Sequence, residues 1–199
     1  MKGVAFEQFM DGFFKGDFGQ YFTPRPIIEF AVKMMKPEHD WDVLDPACGS
    51  GGFLLHALDY MRSRASEYYD KDTVDYFNYW HDFASKHLYG IEINDEIARV
   101  AKMNMIVHDD GHTNVISFDA LDSIDKMHDH NRGFEAGKFD LILTNPPFGS
   151  TITKAEKPYL ANYELGKTKD AKGKYKDRPR QSSEIPVSYT HLTLPTNSL

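Results

Sequence analysis

The sequence predicts an α/β fold in which a parallel sheet is covered by helices on both faces. Short apolar runs such as LYGIEI and FDLILT alternate along the chain with segments of helical periodicity. The runs are continuously apolar, as expected of strands that are buried on both faces. A glycine-rich turn, PACGSGG, joins the first run to a helical segment, which is typical of parallel sheets that bind ligands at their carboxyl edge.

The predicted elements follow one another in a regular order. Strands are expected at residues 41–45, 88–93, 114–119 and 139–144, and helices at 53–66, 73–87 and 94–108. Asn94 or Asp95 is the expected cap of the last of these helices. An earlier helix in TPRPIIEFAVKMM has Thr23 as its expected N-cap and Pro24 at its first position. The residues expected on one face of that helix are Ile27, Ile28, Ala31, Met34 and Met35.

The composition indicates one globular domain with appendages. The chain has 199 residues, 41% hydrophobic and 27% charged, and no stretch approaches the roughly 20 apolar residues of a membrane span. Its N-terminus, MKGVAFEQFMDG, lacks the apolar centre of a signal peptide. The single cysteine, Cys48, precludes an internal disulfide and suits a reducing compartment. We therefore expect a cytoplasmic protein without membrane contact.

Charge is distributed unevenly along the chain. The net charge of −7 argues against a protein that coats nucleic acid over its whole surface. Between Lys154 and Arg180, however, nine Lys and Arg stand against four Asp and Glu, so this segment carries +5 and the remainder −12. Such a run can contact phosphates or can simply be a solvated loop, and both interpretations stay open.

The turn DPACGSGGF, residues 45–53, predicts a ligand site at the end of the first strand. Its glycines let a ligand approach the backbone closely. The spacing does not match the GxGxxG pattern of dinucleotide sites, and Asp45 would repel a pyrophosphate. An acid at this position instead suits a ligand that presents an ammonium group.

The next two strands also end in acidic residues. Glu92 follows Gly90 and Ile91 and can accept hydrogen bonds from both hydroxyls of a ribose. Asp119 ends the third strand, where it can accept from the exocyclic amine of an adenine. Acids at strand ends can also serve solvation alone, which is the competing interpretation.

The fourth strand ends in NPPFG, a sequence that neither continues a sheet nor starts a helix. The Asn145 side-chain carbonyl and the Pro146 backbone carbonyl can both accept from one amino group, which holds the amine toward sp3 geometry with its lone pair available. Phe148 offers a ring face for the base that carries the amine. This pattern favours methylation of an exocyclic amine. A simple proline-rich turn would explain the prolines but not the Asn and the aromatic residue.

Three other features receive structural interpretations. HDDGH, residues 108–112, superficially resembles a metal site, but it falls at a helix end with Gly111 as terminator, so we expect no metal. Cys48 has no adjacent base and is assigned to packing. The aromatic segment YFNYWHDF is assigned to the core or to a subunit contact.

In their order, the motifs GQYFTP, DPACGSGGF, GIE, FDAL and NPPFG resemble those of the S-adenosylmethionine-dependent N6-adenine DNA methyltransferases. The resemblance covers about residues 3–185 and is strongest to the modification subunit of type I restriction-modification systems. It implies a Rossmann-like class I methyltransferase fold with about four strands of the usual seven, and site-specific, adenine-specific DNA methylation. It also implies S-adenosylmethionine as cofactor, and double-stranded DNA, a specificity subunit and a restriction subunit as partners.

The resemblance also implies roles for individual residues. Asp45, with the backbone of the glycine-rich turn, would hold the methionine part of the cofactor, Glu92 the ribose, and Asp119 with Ala120 the adenine. The target adenine, flipped out of the duplex, would be held by Asn145, Pro146, Pro147 and Phe148. The full set of expected cofactor-binding residues is Gln20, Tyr21, Phe22, Thr23, Pro24, Arg25, Asp45, Ala47, Gly49, Ser50, Gly51, Gly52, Glu92, Asp119 and Ala120.

The sequence departs from the family pattern at both ends. We expect residues 1–18 to be a linker remnant of an absent helical domain and residues 19–185 to be a partial catalytic domain with a basic loop at 150–182. Residues 186–199 have the character of a non-native read-through tail. The expectation is therefore a truncated fragment. Methylation of RNA or of a protein glutamine amide, or cofactor binding without transfer, remain the alternative functions.

Overall fold

A computed structural model of the protein describes residues 23–108 and 112–146, together with the backbone of four short strands further along the chain. The chain forms two compact units. One comprises the chain up to Ala120 together with Lys138–Asn145, and the other comprises Leu121–Gly137 and the chain from Pro146. Within the described residues, no helix is long and apolar enough to cross a membrane.

A four-stranded parallel sheet forms the centre of the first unit. Its strands are β1 (Val43–Asp45), β2 (Leu88–Glu92), β3 (Val115–Ser117) and β4 (Leu141–Ile142), in the order β3-β2-β1-β4. All three pairings are parallel, with Asp45 opposite Gly90 and Glu92 opposite Ser117. The sheet therefore confirms the predicted α/β class and its four strands, and all four carboxyl ends lie at one edge.

The described residues form five helices, which precede or separate these strands in the sequence. They are α1 (Arg25–Met35), α2 (Gly52–Tyr68), α3 (Val74–Lys86), α4 (Asp95–Val107) and α5 (Ile124–His130). A turn of 3-10 helix at His112–Asn114 leads into β3. Asn94 caps α4, since its side-chain oxygen accepts hydrogen bonds from Glu96 N at 2.9 Å and Ile97 N at 3.2 Å. Asn94 is one of the two residues predicted as the cap. Helix α5 was not predicted, because its seven residues are too short to show a periodic apolar face.

The predicted cap of α1 is wrong. The N-cap is Pro24 rather than Thr23, and no side chain in the described part of the chain caps this end. The second helical residue, Pro26, has no N–H to offer, and the N–H of Ile27 is taken by the Pro24 carbonyl at 2.9 Å. A cap from Thr23 is therefore unnecessary, and its hydroxyl is used elsewhere.

The predicted apolar face of α1 is also wrong in part. Ile28 and Val32 are the residues that this helix buries. Ile27, Met34 and Met35 are exposed. The helix carries apolar residues around more than half of its circumference, so periodicity alone does not select which of them face the sheet.

The main core of the first unit lies on one face of the sheet. Alternate strand residues, including Val43, Leu88 and Val115, contribute to it together with helices α1 to α4. Side chains of the opposite strand face, such as Leu44 and Ile91, are also buried, so β1 and β2 are covered on both sides. The aromatic helix α3 supplies Trp80 and Phe83 to the core, as predicted for that segment.

Four further strands are described by their backbone alone. They are β5 (Thr151–Ile152), β6 (Lys167–Lys169), β7 (Tyr175–Asp177) and β8 (Ile185–Pro186). β5 pairs with β8, and β6 pairs with β7, both in antiparallel fashion. The second pair lies within the basic segment Lys154–Arg180. The boundaries proposed for residues 1–18, 19–185 and 186–199 fall mostly outside the described residues and stay predictions.

Candidate functional site

The carboxyl edge of the sheet brings together the predicted polar residues of four different strands. Asp45 and Glu92 are the last residues of β1 and β2, while Asp119 and Asn145 follow closely after β3 and β4. Because neighbouring strands are parallel and in register, these residues share one edge although they span 100 positions of sequence. In open parallel sheets this edge is where ligands bind.

The glycine-rich loop after β1 is held by hydrogen bonds on several sides. Cys48 N donates to Ile91 O at 2.9 Å, and Gly51 N donates to Cys48 O at 2.8 Å. Gly51 is the N-cap of α2 and has φ +89°, a left-handed conformation that glycine adopts without strain. Among the described residues no side chain caps this helix end, so the first N–H groups of α2 are available as donors at the site edge.

The loop also depends on a close approach at Gly90. A Cβ at this position of β2 would lie 2.8 Å from Leu54 Cδ1 and 3.1 Å from Cys48 Sγ. Glycine at 90 therefore lets the loop and α2 pack directly on the strand. The Cys48 thiol is buried here, and burial, with the charges of Asp45 and Glu92 adding to it, raises its pKa well above its usual range. This agrees with the packing role predicted for Cys48.

Asp45 is a buried carboxyl with an unusual proton affinity. It is 1% exposed, and burial raises its pKa to about 7, to which the nearby charge of Glu92 adds. Ala47 N donates to Asp45 Oδ1 at 3.1 Å and opposes this rise. Thr144 opposes this rise too, since its buried hydroxyl lies close to the carboxyl, although that hydroxyl makes no hydrogen bond of good geometry within the described residues. The described residues form no ion pair with this carboxyl, so a cationic ligand here would favour its ionised form.

Glu92 bridges the loop and the next helix. Its Oε2 accepts from Gly49 N at 3.0 Å, and its Oε1 accepts from Asn94 N at 2.9 Å. The side chain is therefore fixed in one orientation at the end of β2. Each carboxylate oxygen accepts more than one hydrogen bond, so both can still receive hydroxyl donors.

Asp119 and Ala120 lie at the end of the adjacent strand β3. Phe118 N donates to Glu92 O at 3.0 Å, which extends the contact between the strand ends up to the residue before Asp119. Asp119 is partly buried and Ala120 is buried. Their position next to Glu92 matches the predicted order of acids along the edge.

Asn145 lies at the end of β4 and contacts the start of α1. Its Nδ2 donates to Thr23 Oγ1 at 2.9 Å. This bond joins two of the sequence motifs, GQYFTP and NPPFG, across 122 positions. One of the two amide N–H groups is thereby occupied, while the side chain remains exposed. With the nitrogen fixed on Thr23, the amide oxygen is the group turned away as an acceptor.

The other predicted site residues lie at the start of α1, beside Asp45, after Asn145 or outside the described part. Pro24 and Arg25 are exposed at the start of α1, and Ala47 is partly buried beside Asp45. Pro146 is partly buried. Gln20, Tyr21, Phe22, Pro147 and Phe148 fall outside the described residues, as do residues 109–111 of the HDDGH segment.

Two contributors at the edge were not predicted from the sequence. One is Thr144, the residue before Asn145, whose hydroxyl lies near Asp45. The other is Asn104 of α4, which is buried and whose Nδ2 donates to Ser50 O at 3.1 Å. Asn104 lies seven residues after the buried Ile97, so the spacing places it on the apolar face of the helix. Its burial could therefore have been predicted from the sequence.

The arrangement defines a class of protein: a parallel α/β domain in which a glycine-rich loop, a row of strand-end acids and Asn145 after the fourth strand share one sheet edge. The chain belongs to the N-6 DNA methylase family, whose model matches residues 1–177. It is 32% identical over 148 residues to the type I restriction enzyme StySPI methylase subunit of Salmonella potsdam, which covers 68% of this chain. The EcoKI methylase subunit of Escherichia coli K12 is likewise 32% identical over 149 residues.

Solved structures agree with this assignment. The modification subunit of a putative type I restriction enzyme from Vibrio vulnificus YJ016 has a TM-score of 0.59 at 28% identity, over 84% of this chain and 31% of that one. The chain spans about a quarter of the length of the curated relatives, 24% in both cases given above. The similarity to type I methylase subunits confirms the resemblance stated from the motifs.

Proposed function

We propose that this chain carries the catalytic centre of a type I restriction-modification methylase, which transfers a methyl group from S-adenosylmethionine to the N6 amine of adenine in DNA. The observation that carries the proposal is the edge itself. Asp45, Glu92 and Asp119 end three neighbouring strands, and Asn145 follows the fourth. This order agrees with the cofactor and target positions that the motif resemblance implies, at the sheet edge where parallel α/β domains bind ligands.

The residues of the edge fit the amino-acid end of the cofactor. The Asp45 carboxyl is buried, and an ammonium group would supply a countercharge that the described residues do not. The N-terminus of α2, which no side chain of the described residues caps, offers backbone N–H donors to a carboxylate. The loop backbone from Gly49 to Gly52 lies between these two features.

The remaining cofactor contacts follow the order of the strands. Glu92, held by Gly49 N and Asn94 N, would accept from the ribose hydroxyls with its remaining lone pairs. Asp119 and Ala120 would receive the adenine. Gln20, Tyr21, Phe22, Thr23, Pro24 and Arg25 would line the same pocket, as the family motif implies.

Asn145 would act on the target base. Its Oδ1 and the Pro146 carbonyl would each accept a hydrogen bond from the adenine amine and so keep the nitrogen lone pair out of conjugation with the ring. Phe148 would stack on the flipped base. The bond from Asn145 Nδ2 to Thr23 supports this role, because it fixes which end of the amide is the acceptor.

Transfer then requires little acid–base chemistry from the protein. The bound cofactor would supply an electrophilic methyl group on a sulfonium. Asn145 and Pro146 would orient the amine so that a carbon–nitrogen bond forms as the carbon–sulfur bond breaks, after which the amine proton is lost to water. The edge residues contribute by placing both reactants in line.

The partners of the whole protein are part of the proposal. Double-stranded DNA, a specificity subunit and a restriction subunit would assemble with it, in keeping with its similarity to type I methylase subunits. The basic segment Lys154–Arg180 would contact phosphates beside the flipped base.

Labelled-methyl transfer tests the proposal. The chain is incubated with methyl-labelled S-adenosylmethionine and with DNA, RNA or protein in separate reactions. We expect label in the N6 position of DNA adenine, and Asn145→Ala should abolish incorporation while leaving cofactor binding unchanged by calorimetry. Asn78→Ala, an exposed position of α3, is the matched control and should keep both.

The other outcomes separate the alternatives. Label in RNA or in a protein glutamine would move the activity to that substrate. Cofactor binding without transfer to any of the three would leave a binding protein. Loss of binding and transfer together in Asn145→Ala would contradict the role assigned to Asn145.

A further inference from the structure

Asn104 of α4 is a buried amide whose presence in an apolar helix face requires an explanation. Its side chain is 1% exposed, and its Nδ2 donates to Ser50 O at 3.1 Å. Its Oδ1 is buried without a hydrogen-bond partner in the described part of the chain. An unpaired buried acceptor is costly, so an apolar residue of similar size would be the better choice for the core alone.

The carbonyl that Asn104 binds belongs to the glycine-rich loop. The peptide unit between Ser50 and Gly51 is planar, so its carbonyl and its N–H point in opposite directions. Asn104 holds the carbonyl, and the Cys48 carbonyl holds the Gly51 N–H at 2.8 Å. This peptide is therefore fixed at both ends.

The peptide between Cys48 and Gly49 is fixed in the same way. Its carbonyl accepts from Gly51, and its N–H donates to Glu92 Oε2 at 3.0 Å. The peptide unit between Gly49 and Ser50 lies between these two and contains the Ser50 N–H. That N–H makes no hydrogen bond to another residue described in the structure. The loop thus presents one donor between two clamped peptides.

Helix α4 approaches the loop at a second point one turn earlier. A Cβ built on Gly51 would lie 3.8 Å from Ala101 Cβ. Ala101 and Asn104 are three residues apart and so lie on the same face of the helix. The small side chain lets the helix come close, and the amide makes the polar contact.

We propose that Asn104 is a positioning residue that holds the Gly49–Gly51 loop in the shape that binds the amino-acid end of S-adenosylmethionine. The proposal rests on the function proposed above. Asn104 does not touch the cofactor; it acts through the Ser50 carbonyl and fixes the direction of the neighbouring Ser50 N–H. The buried Oδ1 has no partner among the described residues and so lowers the stability of the fold, which is the cost of placing an amide here.

A matched control exists in the same unit. Asn114 is also buried, and its Nδ2 donates to Ser85 O at 2.9 Å. This is the same pair of chemical groups, but Asn114 precedes β3 and therefore lies at the opposite end of the sheet from the loop. Asn104→Leu and Asn114→Leu thus remove equivalent hydrogen bonds at different places.

The experiment measures three quantities for wild type and both variants. They are unfolding by urea, the Kd of S-adenosylmethionine and of S-adenosylhomocysteine by calorimetry, and hydrogen exchange of residues 49–52 without ligand. We expect Asn104→Leu to raise both Kd values about tenfold or more, by the loss of a positioned donor, and to speed exchange in the loop, with little change in stability. Asn114→Leu should lower stability and leave Kd and loop exchange near wild type.

Equal Kd values and equal loop exchange in Asn104→Leu and wild type would overturn the proposal. If Asn104→Leu does not fold, Asn104→Ala removes the same amide without adding apolar bulk and is judged by the same two readouts. Exchange is measured without ligand, so it separates this proposal from the proposed function. A wild type that binds neither ligand would refute the cofactor assignment, while faster loop exchange in Asn104→Leu alone would still establish the bracing contact.

Discussion

Replacing Asp45 by Asn should make the unliganded protein more stable above neutral pH. The carboxyl of Asp45 is buried, and its pKa is raised from 3.8 to about 7. Each unit of pKa corresponds to about 1.4 kcal/mol, so the ionised side chain costs the folded state about 4 kcal/mol once the pH exceeds 7. An asparagine carries no charge, and its oxygen can still accept from Ala47 N.

The sign of the pH dependence follows from the direction of the shift. Between pH 3.8 and about 7 the folded protein binds the Asp45 proton more tightly than the unfolded chain does, so stability due to this group falls as the pH rises. We expect Asp45→Asn to exceed wild type by about 4 kcal/mol at pH 8.5 and by about 2 kcal/mol at pH 5. Comparing the two proteins at each pH cancels the titration of the other groups.

The assay is urea unfolding of both proteins at pH 5 and pH 8.5. Asp42→Asn is the matched control, because Asp42 lies just before β1 at the opposite end of the strand, with His87 Nδ1 2.9 Å from its Oδ1. The same chemical change there should destabilise the protein, since it weakens that hydrogen bond. The reasoning would be refuted if Asp45→Asn were no more stable than wild type at pH 8.5, or if the gap were the same at both pH values.

Two further predictions concern the same edge. S-adenosylmethionine should displace the Asp45 proton on binding at pH 6 but not above pH 8, because an ammonium group favours the ionised carboxyl. Calorimetry in two buffers of different ionisation enthalpy detects the released proton. Equal binding heats in the two buffers at pH 6 would count against this prediction. Gly90→Ala should destabilise the fold by about 1–3 kcal/mol, because the new Cβ would lie 2.8 Å from Leu54 Cδ1. In that variant Leu54→Val should recover part of the loss in a urea melt, and strictly additive losses would exclude the contact as the cause.

Much of the fold could be predicted because its signals are local. The continuous apolar runs became the four parallel strands, and three helices were placed with ends close to the observed ones. Asn94 was among the predicted caps because a side-chain oxygen before a helical run has a specific local use. Helix α5 was missed since seven residues carry too little periodicity.

What the sequence could not supply was contact between distant segments. Thr23 has the features of a helix cap, but its hydroxyl is bound by Asn145, and only the folded sheet brings the two together. Ile27 and Ile28 are equally apolar, yet only the second faces the core, because packing rather than periodicity selects the face. The order of the edge residues was readable from their motifs, whereas the support from Asn104 depends on how α4 approaches the loop.

A crystal structure of the chain with S-adenosylmethionine and a short DNA duplex would show whether cofactor and target base meet at the sheet edge. The decisive quantity is the position of the sulfonium methyl relative to Asn145. We predict that the ammonium group contacts Asp45 and that the ribose contacts Glu92. The methyl group should face an adenine amine that donates a hydrogen bond to Asn145 Oδ1. A cofactor bound away from the carboxyl edge, or an Asn145 amide turned from the methyl, would contradict the account.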